Sequence, residues 1–159
     1  MAMNPLILLL WCLLAVTAIA PAAADEPYRA PEAIADTTRV DADGAWRLFR
    51  EGVPFVDVRL SADYRAGRIP GATNLTIMRD ADDRRNRFTR EQLLEVAGGR
   101  DRPVVVYCNE FDCWRTEAAI RRALEWGFDD LHYFPGGYPR VESPELSLRM
   151  RWDPERGRG

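Results

Sequence analysis

Lysine is absent from this sequence, and histidine occurs once, at position 132. All 22 basic residues are therefore arginines, and 25 acidic residues outnumber them to give a formal net charge of -3. The two signs alternate along the chain, so no basic stripe is present of the kind that binds nucleic acid. A composition that is 47% hydrophobic and 30% charged suits one globular domain rather than a disordered or fibrous chain.

Charged side chains are also missing from the first 24 residues. An apolar run there ends in three alanines, and Asp25 and Glu26 follow them. The run has about 15 residues, which is typical of a signal peptide, whereas a spanning helix needs roughly 20. We predict that residues 1–24 are a signal peptide cleaved after Ala24, which makes the protein periplasmic or secreted in a bacterium. An uncleaved membrane anchor is the alternative, and it is the one route to a membrane contact.

Cysteine is scarce, with three copies, and cleavage would remove Cys12 with the signal peptide. Cys108 and Cys113 would remain, in a compartment where disulfides persist. Two cysteines are too few for a disulfide scaffold, and with a single histidine they leave a zinc ion short of ligands. We therefore predict no metal and no cofactor.

Short apolar runs alternate with amphipathic segments through the rest of the chain. We predict a linker over residues 25–36, a domain over 37–145 and a polar tail over 146–159. Within the domain, the predicted strands cover residues 37–40, 53–59, 73–78, 103–107 and 131–134, and the predicted helices cover 42–51, 61–64, 89–97 and 116–126. Strands and helices in alternation predict an α/β fold, a doubly wound parallel sheet with helices on both faces. In such sheets the ligand site lies at the carboxyl ends of the strands.

Cys108 stands at one of those strand ends. A buried strand delivers its thiol to the sheet edge, the loop 109–114 arches over it, and a helix begins at about Arg115. Loop N–H groups and the positive end of a helix favour an anion and lower the pKa of a thiol. The pattern favours a nucleophilic thiolate at Cys108, with a buried structural thiol as the alternative.

Two groups of residues carry a resemblance to the rhodanese-like family. Residues 55–59 (FVDVR), Tyr64 and residues 67–75 (GRIPGATNL) are similar to its first signature. The second half of the family pattern is matched by residues 105–108, 115–119, 127–128 and 135–137. The resemblance implies a thiosulfate sulfurtransferase-like enzyme, whose cysteine accepts sulfane sulfur as a persulfide and passes it to a second nucleophile.

Carried over by position, the resemblance makes Cys108 the sulfur carrier and the loop after it the cradle for the charged sulfur. Asp57 and Arg59 match supporting positions. Arg115 matches the arginine that pairs with an anionic donor. The residues implied to bind substrate are Asn109, Glu110, Phe111, Asp112, Trp114, Arg115 and Thr116.

The chain departs from the family pattern at two places. Arg68 stands where the family usually has histidine, in a structural turn. The spacing from Cys108 to Arg115 is C-x6-R, whereas sulfurtransferases have C-x4-R and the related phosphatases have C-x5-R. Glu110 and Asp112 add negative charge to this loop, which would repel an anion and raise the pKa of a thiol.

The longer loop contains Cys113 and Trp114, a pair similar to the Cys-Trp motif of an exported rhodanese-like group that accompanies pyrroloquinoline quinone-dependent catabolism in bacteria. Cys113 can be a resolving thiol, a permanent disulfide partner or a bystander. Besides sulfur transfer, the sequence leaves open a thiol-disulfide accessory protein that uses both cysteines. It also leaves open a non-catalytic partner of a quinoprotein dehydrogenase. The partners expected are a small sulfur donor or acceptor and a periplasmic dehydrogenase or cytochrome.

Overall fold

The β-branched run after Pro103 forms the middle strand of a five-stranded sheet in the computed structural model of the chain, which describes residues 26–138. The predicted signal peptide and the predicted tail 146–159 lie outside the described residues. In chain order the elements are β1 (Thr38–Arg39), α1 (Ala42–Arg50), β2 (Phe55–Asp57), α2 (Ser61–Ala66), β3 (Thr73–Asn74), α3 (Arg90–Ala97), β4 (Val104–Tyr107), α4 (Trp114–Glu125) and β5 (Leu131–Phe134).

All neighbouring strands are parallel, in the order β1-β5-β4-β2-β3. Val105 of β4 lies opposite Phe55 of β2 and His132 of β5. From β2 the chain continues outward to β3, and from β4 it continues to β5 on the other side. The strand order therefore reverses between β2 and β4, the place where ligands bind in open parallel sheets. The predicted α/β class is confirmed.

Side chains of β4 alternate between two hydrophobic clusters, one on each face of the sheet. Val104, Val106 and Cys108 belong to the cluster that also contains the buried residues of α3 and α4. Val105 and Tyr107 belong to the second cluster, which packs against α1. Because the strand period is two residues, the alternation directs the Cys108 side chain toward the α4 face.

Two helices begin directly after polar N-cap residues. The Asp41 carboxylate accepts a hydrogen bond from the Gly44 N–H at 2.8 Å, and the Thr89 hydroxyl accepts one from the Gln92 N–H at 3.3 Å. Gly98 ends α3 with a φ of +76°, a conformation that favours glycine. No helix within residues 26–138 combines the length and the apolar character that crossing a membrane requires.

Residues 26–36 differ from the linker that their composition predicts, because they lie against the domain. Ala30 and Ile34 are buried in the same cluster as Cys108. The Ala30 N–H donates to the Phe111 carbonyl at 2.6 Å, and the Tyr28 hydroxyl donates to Glu117 of α4 at 2.8 Å. Proline, alanine and charge are typical of linkers, but burial of two apolar side chains decides the structure here.

Candidate active site

The site is built around a disulfide between Cys108 and Cys113. Cys108 directly follows β4 and Cys113 is the N-cap residue of α4, with their Cα atoms 6.2 Å apart. Cys108 is 1% exposed and Cys113 is 6% exposed, and both belong to the cluster beneath α4. The disulfide rules out Cys113 as a bystander, and it means that this form contains no free Cys108 thiolate.

Three backbone hydrogen bonds fix the path of the loop. The Cys113 N–H donates to the Glu110 carbonyl at 3.0 Å, which forms a turn inside the loop. The Tyr138 N–H donates to the Cys108 carbonyl at 2.8 Å, and the Phe111 carbonyl accepts the bond from Ala30. Since a disulfide sulfur carries no charge, the cradle that the resemblance implies for a Cys108 thiolate is not tested by this form and stays a prediction.

Asp57 and Arg59 support the loop from the α1 face of the sheet. The Arg59 Nη2 lies 2.6 Å from the Asp57 carboxylate and donates to the Gly67 carbonyl at 2.6 Å. Its Nη1 donates to the Asn109 Oδ1 at 3.3 Å, which ties the first loop residue to β2. Burial would lower the pKa of Arg59, but the hydrogen bond and charge of Asp57 outweigh it and raise that pKa. The arginine is therefore held as a paired structural cation.

Residues after β5 complete this support, and sequence reasoning missed one of them. The Arg59 guanidinium carbon lies 4.8 Å from the centre of the Tyr138 ring. Gly137 has a φ of +50°, and a β-carbon there would collide with the Cys108 and Asn109 carbonyls. The Gly-Gly turn thus lets the chain pass over the start of the loop. An aromatic residue directly after that turn was the available signal for Tyr138.

A second group of residues lies at the start of α4. The guanidinium carbon of Arg115 is 4.8 Å from the centre of the Trp114 ring, and that of Arg79 is 4.2 Å from it. The Arg115 Nε donates to the Ile77 carbonyl at 3.3 Å. Burial lowers the pKa of Arg115, and the nearby guanidinium groups of Arg79 and Arg85 lower it further, against the opposing charge of Asp63. The charge-dense segment 79–87 is mostly exposed, and Arg79 of this segment also contacts the Trp114 ring.

Thr116 has a buried hydroxyl in the first turn of α4. The residue is 1% exposed, and its Oγ1 has no hydrogen-bond partner within the described part of the chain. It lies on the buried face of α4 with Ala119 and Ile120, which belong to the same cluster as the two cysteines. A buried hydroxyl without a partner destabilises a fold, so its removal should stabilise the protein.

The remaining predicted loop residues face outward. Phe111 is 41% exposed, Asp112 is exposed, and Glu110 is partly buried. His132 is placed on β5 beside Asp130, with 3.2 Å between its Nε2 and the carboxylate, so it lies apart from the loop. The structure therefore brings Asn109, Arg115, Trp114 and Thr116 around the cysteines and leaves the loop tip to solvent.

Two open clefts of the described residues lie elsewhere. One of about 530 Å³ is lined by the starts of β1 and β5, with Asp36, Asp129 and Asp130 at its wall. Another of about 270 Å³ lies between Gly52 and Pro103. Both are at the amino ends of the strands, whereas the buried, chemically distinctive residues converge at the carboxyl ends. Chemistry and packing, rather than cleft volume, identify the site.

Comparisons with known proteins show which family the chain resembles. The sequence model of a family described as "Rhodanese-like domain" matches residues 41–143. A stretch of 75 residues, 47% of this chain, is 39% identical to the HTH-type transcriptional regulator Rv0324 of Mycobacterium tuberculosis, of which the match spans 28%.

Two solved structures are similar at lower identity. The rhodanese-like domain from the Anabaena sp. Alr3790 protein is 23% identical, with 62% of this chain and 68% of that one covered and a TM-score of 0.45. The Arabidopsis thaliana protein At5g66040 is also 23% identical, with 71% and 89% covered and a TM-score of 0.38.

Proposed function

Because the chain belongs to the rhodanese-like domain family, we propose that it transfers sulfane sulfur, with Cys108 as the carrier and Cys113 as the resolving thiol. The observation that carries the proposal is the disulfide between these residues. It joins the cysteine at the end of β4 to the one at the start of α4, so each sulfur lies within reach of attack by the other.

The reaction starts from the reduced dithiol. The Cys108 thiolate attacks the outer sulfur of a donor such as thiosulfate, the S–S bond of the donor breaks, and sulfite leaves with the bonding electrons. Cys108 then carries a persulfide. The positive end of α4, a helix of 12 residues, favours the negative sulfur formed there.

The persulfide has two fates. A second nucleophile can attack its outer sulfur and regenerate the Cys108 thiolate. Alternatively the Cys113 thiolate attacks the Cys108 Sγ, the persulfide bond breaks, and hydrosulfide leaves as the disulfide forms. The second route oxidises both cysteines, so an external thiol or dithiol must reduce the disulfide before another turn. Cys113 suits this role because it is the N-cap residue of α4, where the positive end of the helix favours a negative sulfur.

The mass of the intact reduced protein after incubation with thiosulfate tests this proposal. The Cys113→Ser variant should gain and keep the mass of one sulfur atom, because its persulfide cannot be resolved. The matched Cys108→Ser variant should gain nothing. Sulfur retained on the Cys108→Ser protein, or none on Cys113→Ser, would overturn the assignment of the carrier.

A thiol-disulfide exchange function is the second candidate, and the place of Cys113 favours it. Cys113 is at the N-cap of α4 and is more exposed than Cys108, so an external thiol would attack there first. Under this function neither single variant gains sulfur from thiosulfate. The Cys108→Ser variant would instead trap a mixed disulfide at Cys113 with a reduced thiol protein.

We further propose that the protein is exported, as its uncharged apolar first 24 residues indicate. An oxidising compartment would preserve the disulfide between turns. The protein isolated from the bacterial periplasm should begin at Asp25 when its N-terminus is sequenced. A protein that keeps its first 24 residues there would contradict the cleavage.

A further inference from the structure

Residues 26–36, which we name the strap, pack on the part of the core that contains the disulfide. The strap forms no helix or strand, and its buried side chains are those of Ala30 and Ile34. Both belong to the hydrophobic cluster that includes Cys108 and Cys113. Apolar burial therefore holds the strap on the same side of the sheet as the two sulfur atoms.

Hydrogen bonds of the strap lie on both sides of Cys113. The Ala30 N–H donates to the carbonyl of Phe111, two residues before Cys113, at 2.6 Å. The Tyr28 hydroxyl donates at 2.8 Å to the carboxylate of Glu117, which follows Cys113 by four residues. Because Cys113 is the N-cap of α4, that carboxylate lies about one helical turn beyond it. The strap thus crosses the chain at the more exposed of the two cysteines.

The partners of the strap belong to the body of the domain. The other oxygen of Glu117 accepts a hydrogen bond from the Arg121 Nε at 2.8 Å, which orients the carboxylate. The hydroxyl of Tyr133, a buried residue of β5, donates to the Pro31 carbonyl at 3.2 Å. None of residues 26–36 pairs in the sheet. A segment held by side chains and single hydrogen bonds opens locally at a lower free energy than the whole domain unfolds.

Reduction of the disulfide needs access to one of its sulfur atoms. The thiolate of a dithiol reductant attacks the Cys113 Sγ, and the bond to Cys108 breaks with its electron pair left on the Cys108 sulfur. The second thiol of the reductant then attacks the mixed disulfide, which frees Cys113 and leaves the reductant oxidised. With Cys108 1% and Cys113 6% exposed, the first attack cannot occur until part of the structure moves.

We propose that the strap is a gate on this reaction, and that it must open locally before a thiol reaches Cys113. The inference rests on the proposed function for its use, because that function requires the disulfide to be reduced between turns. The gate sets the rate of that step. It joins the redox state of the site to a segment that the sequence presents as a linker.

Reduction of the folded, oxidised protein by dithiothreitol, without denaturant, tests the gate. Free thiols are alkylated at timed intervals and counted from the intact mass. Tyr28→Phe removes the hydrogen bond to Glu117 and should speed reduction about fivefold, the effect of losing one ordinary hydrogen bond. Ile34→Ala removes an apolar anchor of the strap and should speed reduction about tenfold or more.

Tyr64→Phe is the matched control, because the Tyr64 hydroxyl donates to the Ala72 carbonyl at 2.7 Å, close to the β3 edge of the sheet and away from the strap. This variant loses an equivalent hydrogen bond and should be reduced at the rate of the parent protein. Equal acceleration in Tyr64→Phe and Tyr28→Phe would mean that reduction follows global unfolding. That result, or the parental rate in both strap variants, would overturn the gate.

Amide hydrogen exchange gives a second readout on the same proteins. The Ala30 N–H reports the opening of the strap directly, because its acceptor is the Phe111 carbonyl. Tyr28→Phe should raise the exchange rate of this amide and the rate of reduction by the same factor. Faster exchange without faster reduction would contradict the gate.

The gate and the proposed function can fail separately. Faster reduction of the strap variants, with no sulfur gained by Cys113→Ser, would refute sulfur transfer alone. Sulfur gained by Cys113→Ser, with unchanged reduction of the strap variants, would refute the gate alone.

Discussion

Arg59 and Arg115 lie on opposite sides of the same loop, and they differ in whether a carboxylate pairs with the guanidinium group. Arg59, 4% exposed, has a carboxylate, two further oxygen acceptors and an aromatic ring around its guanidinium. Arg115 is partly buried beside another arginine and an indole, with the Ile77 carbonyl as its hydrogen-bond acceptor.

The difference separates a cation that builds the fold from a cation that is available to a ligand. A buried charge is tolerated when it is paired and hydrogen-bonded, as Arg59 is. Arg115 is partly exposed and forms no ion pair within residues 26–138, and under the proposed function its charge would meet the anionic donor. The disulfide lies between these two regions, and four changes would test how different they are.

Replacement of Asp57 by asparagine should have the largest effect. The change leaves the Arg59 guanidinium buried without its charge partner, and we expect a loss of about 3–5 kcal/mol in the free energy of unfolding. Urea unfolding of the oxidised protein would measure it. Asp82→Asn, at an exposed carboxylate, is the control and should change stability by less than about 0.5 kcal/mol. Similar values for the two variants would show that the pair does not stabilise the fold.

Reduction of the disulfide should have the second largest effect on the free energy of unfolding. Opening a short loop increases the entropy of the unfolded chain, so dithiothreitol should lower the free energy of unfolding by about 2 kcal/mol. The Cys108→Ser/Cys113→Ser protein should unfold at the same urea concentration with and without dithiothreitol. If dithiothreitol leaves the urea midpoint of the parent protein unchanged too, the disulfide contributes no stability.

Thr116→Val should have a smaller effect of the opposite sign. Valine has nearly the same shape but lacks the buried hydroxyl, so the oxidised protein should gain about 1 kcal/mol. Calorimetric melting would show this as a raised Tm. Thr116→Ser, which keeps the hydroxyl, should show no gain. A destabilised Thr116→Val protein would mean that the hydroxyl already has a stabilising partner.

Arg79→Gln should change stability least, by no more than about 0.5 kcal/mol, because the residue is exposed and has no carboxylate partner. The same urea experiment would measure it. A loss comparable with that of Asp57→Asn would place Arg79 with Arg59, as part of the fold, and would remove the contrast between the two regions.

Local sequence signals predicted most of the framework correctly. The β-branched run of β4, the Asp41 and Thr89 caps and the glycine after α3 act over a few residues, so they can be seen in one sequence. The strand end that holds Cys108 followed from the same pattern. The pair of Asp57 and Arg59 is also local, because Asp57 ends β2 and Arg59 follows it by two positions.

Contacts between distant segments could not be predicted in this way. Ala30 meets Phe111, and Arg79 meets Trp114, across long stretches of chain whose approach depends on the whole sheet. Composition therefore favoured a linker for residues 25–36, and it gave no signal of the contact between Arg79 and Trp114. A disulfide with Cys108 was part of two of the three alternatives for Cys113, because the direction of a side chain in a loop depends on its path and not on spacing.

Sulfide released in a single turnover tests the central claim, that Cys113 resolves a persulfide on Cys108, most directly. Reduced protein, freed of reductant, would be mixed with excess thiosulfate, and sulfide and free thiols would be counted. We expect one sulfide and one new disulfide per chain from the parent protein, and a stable persulfide without sulfide from Cys113→Ser. Disulfide formation in the parent without an equal amount of sulfide would contradict the account.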